Sequence, residues 1–347
     1  MRRSVMRVAT WYSNRDVRVE EMPVPSIGPG ELLVRVEACG ICGSDVMEWY
    51  RIDRAPLVLG HEIGGQVVQV GEGVERYRQG DHITAAHHVP CNTCRYCLNG
   101  HHTACQTLRE TNFDPGGLAE YLRLPAINVD RGVFPLPETV SYAEATFVEP
   151  LACVLRGQRR ADLRPGNTVL VVGSGIAGLL HVMLARALGV SRVIATDVTR
   201  HRLEAAERFG ADAALLAGDD LPARLRRANN GRLADRVVVC TGATSGIGQA
   251  LQSVDRGGTV LLFAPTGPGV TVPLSINDLY WRNEVTVTTS YAGSPADYAT
   301  ALELIAARRL PVEDMITHRL GLAEAGTAFQ LVARAQDSLK VIIEPQR

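Results

Sequence analysis

Lysine is almost missing from this chain. Of 36 basic residues only Lys340 is a lysine, and the rest are arginine. This reads as a compositional bias rather than a function, and it singles out Lys340. A surplus of either charge is missing too. The formal net charge is −1, which gives no basic surplus to attract nucleic acid or an anionic membrane. No apolar run reaches the roughly 18 residues needed to span a bilayer. The opening "MRRSVMRVATWYSNRD" lacks the apolar core and small-residue cleavage site of a secretory signal. These absences predict a cytoplasmic protein with a small-molecule partner and neither nucleic acid nor membrane. Aromatics are sparse, with 6 Phe and 3 Trp, which favours a polar pocket over a large aromatic one. We find no internal repeat and no low-complexity tract.

What is present begins with cysteine. Cys91, Cys94, Cys97 and Cys105 stand in "HHVPCNTCRYCLNGHHTAC" at C-x2-C-x2-C-x7-C spacing. Two-residue gaps let neighbouring thiolates converge on one tetrahedral metal, and four sulfurs close its coordination sphere. In a reducing compartment such spacing favours metal over disulfides. The expectation is a structural zinc in a loop over about 88–106. Four-thiolate closure leaves no place for substrate, so any chemistry lies elsewhere.

The 347 residues and 46% hydrophobic content fit an ordinary two-domain globular chain. Its character changes near residue 150. Before that come short alternating runs broken by Gly and Pro, at 32–38, 64–71 and 81–86, which predict a compact β lobe. After it, strand-like runs at 168–173, 192–197, 213–217, 236–240, 259–264 and 285–290 alternate with helical patterns at 176–188, 200–209, 221–229 and 246–255. Continuously apolar strands separated by helices predict a parallel sheet covered on both faces, and six strands suit a doubly wound dinucleotide fold. The tail from about 292 carries a helix, "PADYATALELIAARR", and a strand, "LKVIIEP". It is expected to return to the first lobe. The predicted domains are 1–152 with 292–347, and 153–291.

The second domain carries G-x-G-x-x-G at Gly173, Gly175 and Gly178, after an apolar strand and before a helix. That context gives the motif its force. Gly173 permits the tight turn, Gly175 lets the backbone approach a pyrophosphate, and Gly178 lets helix and strand pack closely. Ile176 in the same turn completes the predicted cofactor positions there. The helix N-terminus supplies unpaired N–H groups for the phosphates. Asp197 ends the next strand, where a carboxylate accepts from a ribose 2′-OH and repels a 2′-phosphate. This favours NAD over NADP. Arg202 is placed to flank the adenine and leaves some tolerance of NADP.

Three segments carry a second set of metal-ligand residue types. "CGICGSD" gives Cys42, Ser44 and Asp45; "GHEIGG" gives His61 and Glu62; "VEPLAC" gives Glu149 and Cys153. A sulfur, an imidazole and a carboxylate make a three-ligand zinc site with one position open for substrate. These motifs, the four-cysteine loop, "GSGIAG" and the strand-end Asp197 run in the order of a known family. Over essentially its whole length the chain resembles the zinc-dependent medium-chain alcohol and polyol dehydrogenases, in the sorbitol and threonine dehydrogenase branch.

The resemblance implies a GroES-like β domain, a Rossmann domain and a cleft between them. It makes Cys42 and His61 catalytic zinc ligands and Glu62 the family's mobile zinc-site glutamate. It makes Asp45 the carboxylate that orients the ligand histidine. Glu149 stands where alcohol dehydrogenases proper have a third cysteine, and binds directly or through water. Cys153 is not expected to replace it. Ser44 becomes a proton relay and His88 an active-site histidine. Lys340 falls where a cation meets the cofactor phosphates. Trp49, Tyr50, Arg109 and Glu110 are candidate pocket residues from their position near the ligand loops.

The expected protein is a zinc-dependent oxidoreductase with two Zn2+ per chain. It moves hydride between NAD and a secondary alcohol, polyol or amino alcohol. A catalytically silent dinucleotide sensor and a zinc-binding module are the alternatives. The apolar final strand in "LYWRNEVTVTTSY" suits edge pairing, and related chains self-associate through this domain, so a homodimer or homotetramer is expected.

Overall fold

The computed structural model describes residues 4–335 and 337–347. The chain divides into two compact units, Met1–Ala152 with Gly293–Arg347, and Cys153–Ala292.

The first unit is organised on the strand Leu32–Gly40. Its residues Leu32, Val34, Val36 and Cys39 are buried in one apolar core with Ile63, Val67, Ile83, Leu122, Val341 and Ile343. The seven-stranded sheet runs Ile316–Gly321, Lys340–Glu344, Leu32–Gly40, Glu62–Val70, His82–Ala85, Val133–Pro135, with Tyr121–Leu124 also pairing Leu32–Gly40. Two registers place the functional segments. Gly40 pairs with Glu62 and Cys39 with Ile63 in antiparallel sense. The chain leaving one strand toward Cys42 therefore meets the chain entering the other through His61. The C-terminal strand pairs Ile342 with Gly40, and this brings Lys340 to the same end. A smaller sheet of Asp16–Pro23, Val5–Ser13 and Leu57–Val58 completes the unit. Its hairpin gave no clear sequence signal, because arginine and glutamate interrupt the alternation in "DVRVEEMP".

The second unit is a six-stranded sheet in the order Ala213–Leu216, Arg192–Asp197, Thr168–Val172, Ala234–Val239, Val254–Leu262, Thr286–Thr289. Every pairing is parallel. All five residues of Thr168–Val172 are buried, as a central strand covered on both faces requires. The order reverses at this strand, so its carboxyl end is the topological switch point where such sheets bind ligands. No helix among the described residues is long and apolar enough to cross a membrane.

Candidate metal centre and dinucleotide site

The four-cysteine loop closes on itself. The sulfurs of Cys91, Cys94, Cys97 and Cys105 all lie within 4.8 Å of one another. Cys94 and Cys97 sulfurs are 3.6 Å apart, and those of Cys91 and Cys97 4.0 Å. Both separations are far beyond the roughly 2.05 Å of a disulfide and suit four ligands around one ion. Backbone N–H groups of Thr93 and Cys94 point at the Cys91 sulfur, at 3.5 and 3.2 Å. With the Thr93 backbone foremost, these bonds pull the Cys91 pKa down to about 5. The Cys91 sulfur is thus prepared for a metal, whereas burial pushes the Cys97 thiol up to about 12.

The second centre forms where the two strand ends meet. Ligand atoms of Cys42, His61 and Glu62 all lie within 4.8 Å of one another. Burial and then the Glu62 carboxylate push the Cys42 thiol up, with His61 opposing. Burial works against a charged His61, but the facing Asp45 carboxylate and the Cys42 sulfur together outweigh it and hold the imidazole well above its ordinary pKa. Asp45 is itself fully buried. Burial would raise its pKa, yet His61, Arg51 and the Cys42 N–H bring it below the ordinary value. Asp45 Oδ1 stands 3.4 Å from His61 Nδ1. That leaves the other ring nitrogen for a metal, in the arrangement that fixes a ligand histidine's orientation and raises its basicity. A half-buried sulfur beside a buried imidazole and carboxylate offers three donors to one cation. The donor set fits zinc.

Three of the predicted residues are placed as follows. Glu149, in the first turn of the helix Val148–Arg160, falls outside the compact group of Cys42, His61 and Glu62. Lys340 lies at the strand end beside Gly40. It is wholly buried in the first unit, bonds Glu62 Oε2 through Nζ, and lies 5.0 Å over the Phe147 ring. His88 packs against the loop at Thr111. Its Nδ1 donates to the Thr111 carbonyl at 2.6 Å, and burial pushes its pKa down to about 4.

His87 and Arg51 were missed from the sequence. The His87 ring sits 4.6 Å from that of His61 and 3.9 Å from that of His88. The histidine doublet just after the strand His82–Ala85 was the available signal. Ser44 is half-buried, and its N–H points at the Cys42 sulfur at 3.4 Å. Trp49 and Tyr50 are exposed beside this loop. Arg109 and Glu110 end the short helix after Cys105 and are exposed.

In the second unit, Gly173 has φ +95°, a conformation side chains resist, and a Cβ at Gly178 would collide with the Gly173 carbonyl. Gly175 caps the helix Ile176–Ala187, whose first N–H groups are therefore unobstructed. Asp197 Oδ2 accepts from the Ser174 N–H at 2.8 Å and Oδ1 from the Thr199 N–H at 2.9 Å. The carboxylate thus braces the glycine turn. Arg202 reaches to 3.9 Å from Asp197 and lies close over Gly175.

A chain with such a β unit, zinc-type donors and a glycine-turn parallel sheet is a metal-dependent dehydrogenase by architecture. Comparison with known proteins agrees. The alcohol dehydrogenase GroES-like domain matches residues 28–138, and the zinc-binding dehydrogenase family matches residues 177–307. Sorbitol dehydrogenase of Gallus gallus is 30% identical over 340 residues, covering 95% of this chain and 93% of that protein. The probable D-xylulose reductase A of Aspergillus clavatus is 31% identical over 344 residues, covering 94% and 93%. A zinc-binding dehydrogenase from Sinorhizobium meliloti 1021, solved bound to NADP, superposes with TM-score 0.88 at 30% identity over 99% of this chain and all of that one. The chain belongs to the zinc-dependent medium-chain dehydrogenases, in the polyol dehydrogenase branch. It is an oxidoreductase acting on the CH–OH group of an alcohol or polyol.

Proposed function

We propose that the protein oxidises a secondary alcohol or polyol with NAD, using a zinc held by Cys42, His61 and Glu62. The convergence of those three ligand atoms within 4.8 Å carries the reading. A zinc there supplies Lewis acidity toward a hydroxyl oxygen. The residues do the rest. Asp45 orients His61, and the Ser44 hydroxyl, on the same loop as Cys42, accepts the alcohol proton and passes it toward solvent. Glu149 serves from its helix as a polar neighbour of the centre. The Gly173–Gly178 turn seats the pyrophosphate on the helix N-terminus, with Ile176 beside it. Asp197 faces the ribose, with Arg202 flanking it. The carboxylate favours NAD, and Arg202 keeps NADP usable. The cytoplasm is the proposed location.

A panel of polyols and secondary alcohols, run with NAD and NADP and monitored at 340 nm beside zinc quantification, tests this. Turnover with a polyol, preference for NAD and two zinc ions per chain are expected. A folded, fully zinc-loaded protein that binds no nicotinamide nucleotide would overturn it. One ion per chain would favour the silent sensor.

Self-association follows from the second unit. Thr286–Thr289 is an edge strand with Val287 exposed, and Tyr280 and Trp281 stand exposed just before it. Such an edge invites pairing with a second copy. Sedimentation at micromolar concentration should show a dimer or tetramer, and a monomer would contradict this.

A further inference from the structure

The first unit contains an arginine to which the proposed function gives no role. Arg51 follows the lip formed by Trp49 and Tyr50, yet its side chain is only 15% exposed. Its Nε donates to the Ser44 carbonyl at 3.3 Å. One terminal nitrogen stands 3.6 Å from Asp45 Oδ1. The guanidinium lies 4.6 Å from the Tyr50 ring centre, and that of Arg54 lies 5.0 Å from the same ring.

The charge balance at Asp45 gives Arg51 its importance. Oδ2 of this buried carboxylate accepts from the Cys42 N–H at 3.1 Å. Oδ1 has no hydrogen bond of good geometry and faces two groups, His61 Nδ1 at 3.4 Å and Arg51 at 3.6 Å. An imidazole that gives its other nitrogen to a metal is a neutral donor. Arg51 is then the fixed positive charge of the two. A buried carboxylate facing only a neutral ring would turn toward water, and the ring it orients would move with it. Arg51 also grips the backbone between Cys42 and Asp45, so one side chain constrains two ligand-bearing segments. Its planar fork suits this double contact better than a single ammonium.

We propose that Arg51 is a positioning residue for the metal centre. By clamping the Asp45 carboxylate and the Ser44 backbone it fixes the ring of His61 and the loop that carries Cys42. This rests on the assignment of Cys42, His61 and Glu62 as ligands.

The test uses the full chain loaded with cobalt in place of zinc, with affinity read by chelator competition and site geometry by visible absorption. Outer partners of metal ligands are typically worth about 10–100-fold in affinity. Arg51→Gln should weaken cobalt at the mixed-ligand centre by that range and alter its absorption. The four-cysteine ion and dinucleotide affinity should stay unchanged, and kcat should fall more than KM rises. Arg54→Gln, which removes the other cation over Tyr50 without touching Asp45, should behave as wild type. Wild-type cobalt affinity and spectrum in Arg51→Gln would overturn the proposal. If Arg51→Gln does not fold, Arg51→Lys decides: it keeps a charge near Asp45 but loses the fork, so weakened affinity supports the clamp and wild-type affinity refutes it. If the wild-type chain takes only one cobalt ion, the ligand assignment itself has failed, which is a different result from two ions with no effect of Arg51.

Discussion

Cys42→Ala should lower kcat/KM by about three orders of magnitude or more. A Lewis-acid metal contributes several kcal/mol of charge stabilisation in reactions of this type, and each 1.36 kcal/mol is about tenfold in rate. With the sulfur gone, His61 and Glu62 remain as two donors, too few to hold zinc against dilution. Zinc content should fall from two ions per chain to one, because the four-cysteine group is a separate loop with its own closed set. Dinucleotide binding should not change, since Gly173, Gly178 and Asp197 belong to the other unit. Thermal stability should also hold nearly constant, as Cys42 is only partly buried and the strands beside it keep their core. The combination is diagnostic: activity lost, one zinc lost, cofactor affinity and fold retained. Substantial turnover from a one-zinc Cys42→Ala protein would remove the mixed-ligand centre from the chemistry.

Local order in the chain made much of this architecture readable. Strand Thr168–Val172, the glycine turn and helix Ile176–Ala187 are contiguous, so their pattern carries the fold and the phosphate cradle together. The four cysteines are likewise near neighbours, and their spacing alone implies convergence. The mixed-ligand centre is harder, because it depends on the pairing of Gly40 with Glu62, a register that no local pattern states. Motif order supplied Cys42 and His61 through resemblance. It could not show that Glu149 sits apart from the compact group. Arg51 escaped because its role arises from a turn that folds it back onto Asp45, and one arginine among so many carries no signal. His87 shows the same limit, since its place beside the His61 ring is set by the bend after the strand His82–Ala85 and not by a local pattern. The strand Ile316–Gly321 and the helix Ala325–Arg334 were also unread, their short amphipathic runs being masked by the dominant C-terminal strand.

The single lysine yields the largest expected effect on stability. Lys340 and Glu62 form an ion pair with side-chain exposures of 0% and 1%. Removing one partner of such a pair leaves a buried charge unanswered, a loss of about 3–5 kcal/mol. Lys340→Met should therefore lower the urea unfolding midpoint of the first unit by that equivalent in the metal-free protein, where no zinc answers the Glu62 charge. Lys340→Met combined with Glu62→Gln should recover most of it, because no charge is then stranded. The double variant should stay poorly active, since Glu62 is also a proposed metal donor. Nor should arginine rescue the site, although this chain uses arginine almost everywhere else. A Cβ at Gly40 would already strike both Lys340 Nζ and Glu62 Oε2, which shows how little room surrounds the pair. A guanidinium is broader than an ammonium, and overpacking of this kind typically costs about 1–3 kcal/mol. Lys340→Arg should thus be destabilised, though less than Lys340→Met. Dinucleotide affinity separates this buried role from a phosphate-binding one. It should be unchanged in the folded Lys340→Met protein. A large loss of NAD affinity with an unshifted unfolding midpoint would return Lys340 to the cofactor.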